Sequence, residues 1–190
     1  MNWLKQLFRA GSARRITIDN PLIIESPRIA FLNLSGSVAE ALLNEDKDAF
    51  APLFTASETS DSDIPNCDVL IIYCNLNDNG VVAGQSNSLR DIIDDARAPI
   101  IIVASENSAA SYAVAGKRNG HATANLVMTL NRKGTAFTTF FADLFRRMFA
   151  GQSMPMAWVE LAPQIPGAVH NNCPDTIFAA EISHVVFKDA

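Results

Sequence analysis

Asp68–Asn75, DVLIIYCN, and Pro99–Ser105, PIIIVAS, decide the fold of this chain. Each is a run of branched aliphatic residues that stops abruptly at a small polar one. Short apolar runs bounded by turn signals read as strands covered on both faces. Such strands belong to parallel sheets, whose flanking helices hide both surfaces. In open sheets of this kind ligands bind at the carboxyl ends of the strands. The residues at those ends here, Asn75 and Ser105, hydrogen-bond well and are poor acid–base catalysts.

Outward from these runs the pattern alternates. Arg28–Leu34 (RIAFLNL) is an earlier core strand ending at Ser35-Gly36-Ser37, and Val38–Phe50 reads as a helix. Leu53–Ala56 is expected as a short strand and Ser57–Asn66 as an acidic loop. Asn77-Asp78-Asn79-Gly80 marks a turn, and Ser88 caps a helix over Leu89–Arg97, with Asp91 completing a capping box. Ser108–Ala115 is expected to be helical, Gly116–Gly120 a basic turn and Ala122–Leu130 a strand. From Thr135 a stripe of Phe137, Phe140, Phe141, Leu144, Phe145, Met148 and Phe149 marks the clearest helix. Gly151 stops it, and Ser153 with Pro155 starts another. Thr176–Ala180 and His184–Phe187 close the chain as strands. Strands alternating with helices predict a three-layer α/β/α sandwich, with a mostly parallel sheet and helices on both faces.

The sequence divides into an N-terminal segment, residues 1–27, and an α/β domain, residues 28–190. Trp3, Leu4, Leu7 and Phe8 recur at helical spacing among Lys5, Arg9, Arg14 and Arg15. That amphipathic helix either lies on its own domain or touches a partner or an anionic membrane surface. Ile16–Ile24, around Asp19-Asn20-Pro21, reads as a small hairpin.

Composition narrows the function classes. With 190 residues, 48% apolar and 18% charged, the chain can bury a single sizeable core. A formal charge of −5 argues against phosphate-backbone binding, so no nucleic-acid partner is expected. Cys67, Cys74 and Cys173 form no paired framework, which fits a reducing, cytoplasmic setting. No apolar run approaches the ~20 residues of a membrane span, and the first residues lack the pattern of a signal peptide.

Few residues carry recognisable chemistry. The Ser35–Ser37 turn joins a strand to a helix, where backbone amides can hold an anion. It lacks the glycine spacing of dinucleotide or P-loop motifs, and a plain turn explains it as well. His121, His170 and His184 are scattered without ligand spacing, so neither a metal nor another cofactor is expected. Cys74 is either a nucleophile needing an imidazole base or a small buried residue.

The second half, from about Asp68 to Leu161, resembles the CHAT family, caspase-like cysteine peptidases akin to separase and the gingipains. In that family one strand ends in a Cys-His motif and the next in a cysteine within Ala-Cys-[Asn/Glu]-[Ser/Thr]. A long Phe-rich helix and a Gly-x-Ser-x-x-x-Ala helix start follow. Tyr73-Cys74-Asn75 occupies the histidine segment, and Ala104-Ser105-Glu106-Asn107-Ser108 the cysteine segment. Ser88-Leu89-Arg90-Asp91-Ile92 looks like the family's Leu-x-x-x-Asp-Ile stretch, with one residue rather than three between leucine and aspartate. Phe137–Phe149, Gly151-Gln152-Ser153 and Ala157 match the closing helices. A second register would make Cys74-Asn75 the nucleophile segment, but it leaves one strand too many before the Phe-rich helix.

The resemblance implies a degenerate peptidase. Asn75 falls at the histidine and Ser105 at the nucleophile, and neither an amide nor an unassisted hydroxyl supports general-base catalysis. The implied function is a pseudopeptidase that binds a protein or peptide as a regulatory or scaffolding module. Asn75, Ser105, Glu106 and Asn107 are the expected ligand-binding residues, with Trp3, Leu4, Leu7 and Phe8 as the partner contact. Backbone amides after Ser105 are expected to offer an anion-binding pocket. Two alternatives stand beside it: an active cysteine peptidase using Cys74 with a histidine such as His121, and a small-molecule or nucleotide sensor using the Ser35–Ser37 turn.

Overall fold

The computed structural model describes residues 21–115, 124–162 and 173–189. Six strands form the main sheet among them: β2 (Arg28–Asn33), β3 (Ala56–Ser60), β4 (Val69–Tyr73), β5 (Ile100–Val103), β6 (Asn125–Asn131) and β7 (Asp175–Ala179). Their order is β3-β2-β4-β5-β6-β7. All neighbours pair in parallel except β7, which runs antiparallel to β6. A separate parallel ribbon joins β1 (Leu22–Glu25) to β8 (Val185–Lys188).

The period-two geometry of the strands divides the core into two layers. Ile29, Phe31, Val69, Ile71, Tyr73, Ile100 and Ile102 face one cluster with α1 (Glu40–Phe50), α4 (Ala136–Phe149) and α5 (Met154–Leu161). Ala30, Leu32, Leu70, Ile72, Cys74, Ile101 and Val103 face the other, with α2 (Leu89–Asp95) and α3 (Ala109–Ala115). The aliphatic runs of β4 and β5 are fully buried because helices cover both faces. Each such side chain contributes about 1.5–3 kcal/mol by leaving water. The fold is thus the three-layer α/β sandwich expected from the sequence.

Packing above the sheet is aromatic. The α4 stripe buries Phe137, Phe140, Phe141 and Phe145. Phe54, following a 3-10 turn at Ala51–Leu53, meets Phe145 and Phe187 edge-on at centroid distances of 5.2 and 5.7 Å. Phe187 lies in β8, so the end of the chain is fastened to the first layer. Gly151 ends α4 with φ near +90, a left-handed conformation suited to glycine.

Two sequence expectations change. Leu53–Ala56 is not a strand: Pro52 helps close the 3-10 turn, and the strand begins at Ala56 and runs through Ser60, within the expected loop. This edge strand is held by backbone pairing to β2 and leaves its polar side chains largely exposed. The first half of the expected 16–24 hairpin lies outside the described residues. Leu22–Glu25 takes β8 as its partner, and Ile24 enters the core.

Candidate functional site

The chain reverses direction along the sheet at β2. From β2 it passes through α1 to the edge strand β3, then returns to β4 on the other side of β2. Helix α1 covers one face, while α2 and α3 cover the opposite one. Such a reversal parts the loops at the carboxyl ends of the strands and opens a crevice.

A cleft of about 360 Å³ lies there. Val38, Ala39, Leu42 and Glu45, at and within α1, form one wall. Asn75 after β4, Ser105 and Glu106 after β5, and Arg132 after β6 form the other side. Ser35, in the turn leaving β2, also lines it. Asn75 and Ser105 therefore share one cleft at the ends of adjacent strands. Ser105 is 6% exposed, and its hydroxyl makes no hydrogen bond among the described residues.

A buried polar network underlies this cleft. Arg132 Nη1 and Nη2 donate to Asp46 Oδ2 and Oδ1 at 2.9 and 2.8 Å. The Tyr73 hydroxyl donates to Asp46 Oδ2 at 2.7 Å, and the Thr138 hydroxyl to Asp46 Oδ1 at 3.1 Å. Arg132 Nη1 also reaches the Ala104 carbonyl at 3.3 Å, and the guanidinium carbon lies 3.9 Å from the Phe137 ring centroid. Asp46 is wholly buried and Arg132 nearly so. Burial, with the Asp46 carboxylate alongside, pushes the Tyr73 phenol well above its ordinary pKa. The phenol is consequently a fixed donor.

Asn107 has a different place from the one expected. Its Nδ2 donates to the carbonyls of Cys74 and Ser105 at 3.0 and 3.2 Å, while its Oδ1 accepts from Leu76 N–H at 2.8 Å. The Tyr112 hydroxyl lies 3.0 Å from the carbonyls of Ser105 and Thr129. These bonds tie the ends of β4, β5 and β6 together and hold Asn75 and Ser105 at a fixed separation. The Asn107 backbone N–H is also engaged, donating to the Thr129 carbonyl at 3.1 Å. That removes one amide from the anion pocket expected after Ser105.

Cys74 faces away from the cleft. It lies in the second core layer with Leu70, Val82 and Tyr112, wholly buried. Burial pushes its thiol pKa up to about 12, so it holds its proton at neutral pH. His184 directly precedes β8, and its carbonyl accepts from Leu22 N–H. No histidine lines the cleft among the described residues. His121, His170 and the expected contact face of Trp3, Leu4, Leu7 and Phe8 lie outside those residues.

Of the residues singled out from the sequence, Asn75, Ser105 and Glu106 line this cleft, while Glu45 and Arg132, which also line it, and Asp46 beneath it were not singled out. Asp46 and Glu45 sit in the charged run Glu45-Asp46-Lys47-Asp48, which reads locally as a solvated helix face. Among the described residues no cluster of His, Cys, Asp and Glu is placed to hold a metal ion, and no helix is long and apolar enough to cross a membrane. No protein-family model matches the sequence, and comparison with curated proteins finds no match.

Proposed function

We propose that this cleft binds a peptide or protein segment without cleaving it, as a CHAT-like pseudopeptidase serving a regulatory or scaffolding role. One observation carries the reading: Asn75 and Ser105 line the same cleft at neighbouring strand ends, and the Ser105 hydroxyl, on a residue 6% exposed, makes no hydrogen bond among the described residues. A hydroxyl that bonds to nothing in the fold and opens on a cleft is free to bond a ligand there. Hydrolysis would require a base to activate that hydroxyl, and the Asn75 amide cannot take a proton at neutral pH. The mostly parallel sheet with helices on both faces supports the family likeness, as does the position of the two residues at β4 and β5.

A fluorescence-quenched peptide library and a binding screen with the same peptides test this reading. The expected result is binding without cleavage, with binding weakened by Ser105→Ala. Turnover abolished by Ser105→Ala, or binding indifferent to that substitution, would overturn it.

A further inference from the structure

The charges around the cleft do not cancel. Asp46 and Arg132 neutralise one another in the buried pair, leaving the Glu45 and Glu106 carboxylates at the rim. Each is held through one oxygen: Glu45 Oε1 lies 3.1 Å from the Thr138 hydroxyl, whose single proton it shares with Asp46, and Glu106 Oε1 accepts from Arg132 N–H at 2.8 Å. The second oxygen of each carboxylate makes no hydrogen bond among the described residues. Beside Glu45 and across the cleft from Glu106, Val38, Ala39 and Leu42 supply an apolar wall, and Val38 is 76% exposed at its edge. Independently of these acids, two hydroxyls in the cleft lack partners among the described residues. They are Ser105 Oγ, on a residue 6% exposed, and the buried Ser35 Oγ.

We infer that the cleft selects a cationic group carried on an aliphatic stem, an ammonium or guanidinium, with its methylenes against Val38 and Leu42. The inference rests on the binding function proposed above. Nitrogen donors fill the open carboxylate oxygens and can also donate to Ser105 Oγ, as charge-assisted hydrogen bonds. An anionic ligand would meet two like charges at the rim, and their repulsion disfavours it. Rim carboxylates would also draw a cation in from solution, and added salt would weaken that attraction. The cation could come from a free alkylamine or from a lysine or arginine side chain; the chemistry is the same.

Calorimetry on the full chain distinguishes these sources and tests the inference. The probes are agmatine, acetyl-Gly-Arg-Gly-amide and acetyl-Gly-Glu-Gly-amide. Binding of agmatine, of the arginine peptide or of both is expected, with little binding of the glutamate peptide. Glu106→Gln and Glu45→Gln should each weaken the cationic probe by about tenfold, measured on variants whose melting temperature is unchanged. Agmatine alone would indicate a free amine, and the arginine peptide alone a side chain presented by a partner. Preferential binding of the glutamate peptide, indifference to both glutamine substitutions, or no binding of any probe at millimolar concentration would overturn the inference. None of those results touches the broader binding reading, which stands or falls on the library experiment with Ser105→Ala.

Discussion

Asp46 of α1 and Arg132 after β6, 86 residues apart in the chain, form a two-point ion pair beneath the cleft. The pair joins the helix that walls the cleft to the strand ends that floor it. Tyr73 and Thr138 satisfy further lone pairs of Asp46, and the Ala104 carbonyl takes an Arg132 proton. A buried pair gains little over an apolar isostere, yet breaking it leaves a charge stranded without solvent.

Asp46→Asn should therefore destabilise the fold by about 3 kcal/mol, read from urea unfolding. The double substitution Asp46→Leu with Arg132→Met should lose much less than the two single losses added together, because no lone charge remains. Additive losses would show that the pair is not the coupled unit described.

Ser105→Ala should leave unfolding free energy within about 1 kcal/mol of the parent protein, or raise it slightly. Among the described residues its hydroxyl forms no hydrogen bond that the substitution could remove. The same substitution should weaken ligand binding. That split between stability and binding separates a reserved binding group from a structural one. A large loss of stability would mean that the hydroxyl already has a partner within the fold.

These residues also show what could be read without the fold. Strands β4 and β5 were legible because burial on both faces demands uninterrupted aliphatic residues, which short stretches of sequence display. The cap of α2 was legible because Ser88 and Asp91 satisfy one another's neighbouring backbone groups across three residues. The sequence stretch 56–60, ASETS, gave no strand signal, because an edge strand pairs through its backbone and needs no apolar pattern. Nor did Asp46 or Arg132 show its burial. Each is tolerable inside only because the other is there, and no local window contains both. The site was half legible for the same reason: strand ends announce themselves, while the helix wall across from them is a tertiary fact.

Asn107→Ala should cost about 2 kcal/mol, even though this residue stands close to the candidate nucleophile position. It would leave Leu76 N–H without its acceptor and the Cys74 carbonyl without its donor, at about 1 kcal/mol for each lost bond. Because those bonds set the spacing of the β4 and β5 ends, ligand binding should weaken as well. Chemical denaturation and calorimetry on one preparation measure both effects. Unchanged stability would show that the cross-strand ties are dispensable.

The cysteines give a pH test with a definite sign. Burial pushes Cys74 from an ordinary 9.0 up to about 12 in the folded protein. Cys67 is also pushed up to about 12, by burial first and then by the Asp68 charge. Below about pH 9 both thiols keep their protons in folded and unfolded chains, so their contribution to stability is flat. Between that value and about 12 the unfolded chain releases protons that the folded chain retains, and stability falls as pH rises. Urea unfolding at about pH 8 and about pH 10 should show this loss, and Cys74→Ala should make it shallower. A thiol reagent at about pH 8 should modify half-buried Cys173 before Cys67, and should reach Cys74 only on unfolding, because the thiolate is the reactive form. Rapid labelling of Cys74 in the folded protein would place its sulfur in an open, ionising environment. It would then compete with Ser105 for the nucleophile position, and the binding-only reading of the cleft would no longer hold.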